Sequence, residues 1–248
     1  MAKKIELPNG RSWPTQNAAL GHFKDLLHRY ANGAVVDDRF DHDDLLGLLQ
    51  RYDEAITDGP PKIGVGVDCF MRRLNVREGH YATPGFWVRR SDGTETDFSY
   101  IHAVRGQPKG RAKEFYDACR AAVQADLLAA KERHFELHGD ADGKVPCDLT
   151  EHPVAFADAH IDHAWPTFAQ LVITFRAARG WGRDIPDGVL TLPADSQTHT
   201  LFADPADAEA FREYHHQAAV LRVVDRTANL SMAAKQRVPK IRRPVAIG

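Results

Sequence analysis

The apolar residues of this chain change their period within the first hundred positions, and that change limits the folds open to it. Leu20, Phe23, Leu27 and Tyr30 recur at helical spacing, and Asn32-Gly33 supplies a stop signal. Leu45, Leu46, Leu49 and Tyr52 predict a second, short helix. At Ile63, Val65 and Val67 the period becomes two, that of a half-buried strand. Phe86-Trp87-Val88 then passes through Ser91-Asp92-Gly93-Thr94 into Asp97-Phe98-Ser99-Tyr100-Ile101. Asp-Gly between two such runs predicts a hairpin, because glycine accepts the positive φ of the turn. Helices followed by an antiparallel sheet make this part α+β.

Residues 111–137 read as one long helix. Phe115, Cys119, Ala122, Val123 and Leu127 form its apolar stripe, and Gly139 ends it. The stretch GDADGK has the composition of a linker. Residues 154–163 then predict a strand. Thr167 is placed to cap a helix from Phe168 to about Arg179, with Gly180 as its stop. Asp204-Pro205 opens another helix, Val220 to Val224 reads as a strand, and Thr227 begins a final short helix. The expected organisation is an α+β module over 1–110, a connecting helix and linker over 111–144, and a second module over 145–248.

With 43% hydrophobic residues in 248, a sizeable core can form. No apolar run approaches the roughly 20 residues that span a bilayer. The start, MAKKIELPNG, has no apolar stretch behind its lysines, so a cytoplasmic protein is expected. Three cysteines and no CxxC exclude a disulfide framework and a four-cysteine zinc ribbon. A net charge of −2 excludes a polycation that grips nucleic acid indiscriminately. Any nucleic-acid surface must be local, and the tail with Lys235, Arg237, Lys240, Arg242 and Arg243 reads equally as phosphate contact or solvated end.

Chemistry concentrates in Ala159-His160-Ile161-Asp162-His163-Ala164-Trp165-Pro166. Phosphodiester hydrolysis needs an activated water and charge neutralisation at the phosphate. A histidine of near-neutral pKa can take the proton, and a divalent cation can contact the phosphate and leaving oxygens. Asp162 beside His163, at a strand end that Trp165-Pro166 terminates, suits that task. Asp41-His42-Asp43-Asp44 repeats the pair, but acidic residues at a helix start serve as caps and complement its dipole. His160 shares Asp162's strand face by period-two geometry and reads as an orienting group or a satisfied core histidine.

Cys147-Asp148-Leu149-Thr150-Glu151, then Ala159 to His163 and Pro166, resembles the opening of HNH (ββα-metal) endonucleases. Tyr214-His215, Leu221-Arg222-Val223-Val224 and Ala228-Asn229-Leu230-Ser231 resemble the closing strand and helix of that family. The resemblance implies His163 as general base, Asp162 and Asn229 as ligands of one Mg²⁺ or Mn²⁺, and Asn229 and His215 as further catalytic or supporting groups. It implies a ββα-metal fold with helical insertions and hydrolysis leaving 5′-phosphate and 3′-hydroxyl ends. Only Cys147 stands where relatives carry paired CxxC knuckles, so no structural zinc is expected and packing must brace the motif. A zinc site from Cys147, His152, His160 and His163 is the alternative chemistry. In the first module, Lys62 to Gly66, Phe86 to Gly93 and Asp97 to Ser99 resemble the DCL (defective chloroplasts and leaves) type domain.

The expectation is therefore a DNA endonuclease with a substrate-selecting first module, in a role such as restriction or phage defence. His160, Arg222, Lys235 and Arg237 are candidate nucleic-acid contacts. Double-stranded DNA is the expected partner, a dimer would suit double-strand cleavage, and no membrane is involved. The alternatives are a non-catalytic nucleic-acid-binding adaptor and an RNA-processing factor.

Overall fold

The computed structural model describes residues 4–57, 59–75, 82–192, 194, 200–231 and 241–247. The fold is α+β and divides into two compact units, Met1–Glu114 with Thr191–Thr200, and Phe115–Leu190 with Leu201–Gly248. No helix among the described residues is long and apolar enough to cross a membrane.

The first unit begins with paired short strands β1 (Ile5–Glu6) and β2 (Ser12–Trp13). Helices α1 (Gln16–Arg29) and α2 (Arg39–Ala55) follow. The antiparallel sheet runs in order β3 (Val67–Asn75), β4 (Thr83–Arg90), β5 (Glu95–Phe98), and α3 (Tyr100–Arg105) closes the unit. Phe23, Leu26, Leu45, Leu48 and Leu49 from the helices bury against Phe70, Phe86, Val88 and Phe98 from the sheet. The hairpin forms where Asp92-Gly93 predicts it: Gly93 takes φ +82° and Asp92 Oδ1 accepts the N–H of Thr94.

Two segments depart from the elements expected of them. Ile63 and Val65 do not begin a strand, because Gly64 and Gly66 take φ of +52° and +120° and fold residues 61–66 into turns. Tyr100 and Ile101 leave the sheet because the Ser99 hydroxyl accepts the His102 N–H and starts a helix. The Asp41 to Asp44 run does more than complement a dipole. Asp38 is the cap of α2, while Asp41 binds Arg29 and Tyr30, and Asp44 binds His22 and Arg11.

The second unit contains α4 (Arg111–His138) from Phe115 onward, then the pair β6 (Lys144–Pro146) and β7 (Pro153–Ala155). A three-residue 3₁₀ turn, Phe156–Asp158, leads into β8 (Ala159–His163) and α5 (Phe168–Ala178). After α6 (Pro205–Ala218) come β9 (Leu221–Asp225), α7 (Arg226–Ser231) and β10 (Pro244–Val245). The sheet order is β10-β9-β8, all antiparallel. The stripe of α4 contributes Phe115, Ala118, Cys119, Val123 and Leu127 to this unit's core, alongside Phe168, Phe211 and Val223. The GDADGK stretch is a tight turn in which Asp140 Oδ1 accepts the N–H groups of Asp142 and Lys144. Thr167 and Gln170 form a capping box on α5, and Asp204 caps α6.

Candidate functional site

β8 and β9 pair residue for residue, with Asp162 opposite Arg222 and His160 opposite Val224. Directly opposed residues share a sheet face, so the side chains of His160, Asp162 and Arg222 project together. Arg222 Nε and Nη2 both donate to Asp162 Oδ2, at 3.1 and 2.9 Å, with Arg222 0% and Asp162 4% exposed. Arg222, expected as a nucleic-acid contact, is instead enclosed: its guanidinium ends on a carboxylate inside the fold.

α7 follows β9 without a loop and packs on both strands. Asp225 Oδ1 accepts the Ala228 N–H and fixes the helix start. Asn229 then reaches β8, its Nδ2 lying 3.3 Å from His160 Nδ1. The carboxamide therefore approaches the face that carries Asp162, through His160 as intermediary. Burial, then the charges of Lys131 and Arg226, hold His160 below the usual imidazole pKa.

His163 points to the opposite face, since neighbours in a paired strand alternate. Pairing continues past it, as Ala164 donates to Val220 O at 2.9 Å, so Asp162 and His163 lie within the strand rather than at a turn. The His163 ring is 3% exposed, 5.1 Å from the Phe168 ring. Its Nε2 lies 2.8 Å from Nε2 of His215, a fully buried residue of α6. Burial first, then the His216 and Arg120 charges, push His215 down to about 4. His215 is therefore neutral at ordinary pH, and in the Nε2–Nε2 contact one ring donates a proton to the other's lone pair. Among the described residues, Nδ1 of His215 has no hydrogen-bond partner.

Cys147 sits in the turn between β6 and β7. Its Sγ accepts the N–H of Thr150 at 3.4 Å and, from the β9–α7 junction, the N–H of Asp225 at 3.2 Å. Burial raises its thiol pKa, but these hydrogen bonds outweigh that and leave it below the ordinary value. The sulfur thus ties the β6–β7 turn to the start of α7. Asp148 adds a second tie: its carboxylate accepts the backbone N–H groups of Arg242 and Arg243, and Glu151 pairs with Arg242. That part of the basic tail is anchored rather than solvated. Lys235, Arg237 and Lys240 lie outside the described residues.

The fold therefore brings together His163 with His215, Asp162 with Arg222, and Asn229 with His160. It does not gather the alternative zinc set, since among the described residues no three of His, Cys, Asp or Glu are grouped to hold a metal. Sequence reasoning missed Arg120 of α4, whose guanidinium carbon stands 4.0 Å from the Phe168 ring centroid. Only the three-dimensional approach of α4 to α5 reveals it.

Residues 24–104 match the family described as Protein of unknown function (DUF3223). The DUF3223 match covers α2, the β3–β5 sheet and most of α3, and stops before the second unit. No curated protein matches the chain. Among solved structures, an uncharacterized protein from Rhodospirillum rubrum, determined by solution NMR, is 34% identical over 42% of this chain and 89% of that chain, with a TM-score of 0.35.

Proposed function

We propose that the second unit is a metal-dependent nuclease of the HNH type, hydrolysing DNA phosphodiesters to 5′-phosphate and 3′-hydroxyl ends. The observation that carries this reading is the pairing of β8 with β9 and the run of β9 into α7, by which Asn229 reaches the strand face bearing Asp162. The Cys147 sulfur, bonded to Thr150 and Asp225, supports it by bracing the motif where relatives use zinc.

The donor chemistry fits a hard divalent cation, Mg²⁺ or Mn²⁺. Asp162 offers a carboxylate and Asn229, with Nδ2 turned to His160, an amide oxygen. Asp162 and Asn229 would hold the cation, which would supply positive charge to the substrate phosphate. Arg222 orients Asp162 by two N–H donors, as partners of metal-bound carboxylates do. His215 orients His163 and, by staying neutral, accepts or donates at the shared Nε2 contact. For His163 to take the proton of an attacking water, its Nε2 would donate to His215 and its Nδ1, on the strand face opposite Asp162, would have to reach the phosphate.

The first unit is assigned substrate selection, which its resemblance to DCL-type domains supports. A restriction or phage-defence role on cytoplasmic DNA fits such a reader-plus-cutter layout. A second reading has specific support of its own. Asp162 and His163 are both buried and both bonded within the fold, as in a scaffold that binds nucleic acid as an adaptor without cutting it.

The full chain incubated with plasmid DNA and with structured RNA, under Mg²⁺, Mn²⁺ or EDTA, separates the two. The nuclease reading expects metal-dependent cleavage that His163→Ala abolishes while binding survives. Cleavage retained by that variant moves the centre elsewhere, and binding without cleavage under every metal establishes the adaptor.

A further inference from the structure

We infer that Arg120 is a phosphate-binding residue of the second unit, holding a backbone phosphate of the nucleic acid beside the His163–His215 pair. The inference rests on the reading of this unit as one that takes nucleic acid.

Arg120 is half-buried on α4. Its guanidinium lies over the Phe168 ring at 4.0 Å and bonds the Tyr116 hydroxyl at 3.2 Å. Phe168 in turn has its centroid 5.1 Å from that of His163 and 6.1 Å from that of His215. The positive charge is near enough to lower the His215 pKa. Among the described residues no carboxylate pairs with Arg120, whereas Arg212 takes Asp126, Arg179 takes Asp207 and Arg222 takes Asp162. Among the described residues, the acid whose charge reaches His215 is Asp126, which already pairs with Arg212 and lies 3.5 Å from His216 Nε2.

A guanidinium stacked on an aromatic ring keeps its edge N–H groups in a fixed plane, with less rotamer freedom left to lose on binding. That arrangement suits two parallel N–H···O bonds to a phosphodiester. A helix of 28 residues provides rigid support. A lysine would supply charge without the plane.

The test is equilibrium binding of a labelled DNA duplex and of a structured RNA to the full chain in EDTA, across a salt series. Wild type is compared with Arg120→Gln and Arg120→Lys, each checked by circular dichroism. For whichever nucleic acid binds, Arg120→Gln is expected to weaken affinity about tenfold and reduce the salt slope by about one, with Arg120→Lys keeping the slope but losing part of the affinity. Should Arg120→Gln fail to fold, Arg120→Lys alone decides, by an affinity loss of about threefold at unchanged slope. Wild-type affinity and slope in a folded variant, or no binding by wild type, overturn the inference. Arg120-dependent binding without cleavage under any metal keeps this inference and sinks the nuclease reading. Cleavage with binding indifferent to Arg120 does the reverse.

Discussion

His163 and His215 meet Nε2 to Nε2 at 2.8 Å, from β8 and α6, packed against the rings of Phe168 and Phe211. Two imidazoles in that contact cannot both carry a proton on the shared side. For His163 to act as a base its Nε2 must donate, which leaves His215 with an N–H at Nδ1 and no partner among the described residues. The opposite tautomer leaves only a lone pair there. The tautomer is therefore a direct reporter of function: ¹⁵N NMR of the histidine rings is expected to find Nε2–H on His163. A proton on His163 Nδ1 instead identifies a structural pair.

The burial of His215, reinforced by the His216 and Arg120 charges, makes stability depend on pH. His215 is depressed from the ordinary value to about 4, so the folded state binds fewer protons than the unfolded chain between those values. Its contribution is complete above about pH 6.5 and is lost as pH falls through the folded value. From pH 7 to 4.5 the unfolding free energy should fall by roughly 2–3 kcal/mol from this residue. Urea titrations at the two pH values check it, with His215→Phe losing that component. An equal drop in the variant assigns the loss to other groups.

Removing one partner of the Asp162–Arg222 pair leaves a buried charge uncompensated. Arg222→Met is expected to lower stability by roughly 3–5 kcal/mol, far more than a surface arginine. Denaturation of Arg222→Met beside Arg39→Met, whose arginine is exposed, gives the comparison. Equal midpoints would show the pair to be solvated in solution.

Cys147 accepts two backbone N–H groups, so its replacement should depend on whether an acceptor remains. Cys147→Ala is expected to cost about 1–2 kcal/mol, and Cys147→Ser less, since its hydroxyl still accepts. EDTA should leave the melting temperature unchanged. A large drop on chelation in buffer without added Mg²⁺ or Mn²⁺, absent in Cys147→Ala, would show a structural metal in the knuckle.

Much of the scaffold was legible because local chemistry decided it. Thr167 and Asp204 as caps, Asp92-Gly93 as hairpin turn and the stripe from Phe115 to Leu127 are fixed by neighbours in sequence. The site was legible only as identities. That Asp162 and His163 face opposite sides follows from strand pairing reaching Ala164, which a motif ending in Trp165-Pro166 does not announce. Arg222 and Arg120 were misread or missed because their partners lie 60 and 48 positions away, at Asp162 and Phe168. Gly64 and Gly66 show the reverse error, an apolar alternation overridden by backbone conformation.

A nuclease built on this unit needs one cation held between Asp162 and Asn229. Mn²⁺ binding to the full chain, followed by electron paramagnetic resonance, measures it without any substrate. One site per chain, weakened at least tenfold in Asn229→Ala with the fold intact, is the predicted result. Mn²⁺ binding that Asn229→Ala leaves unchanged, or none at millimolar metal, contradicts it.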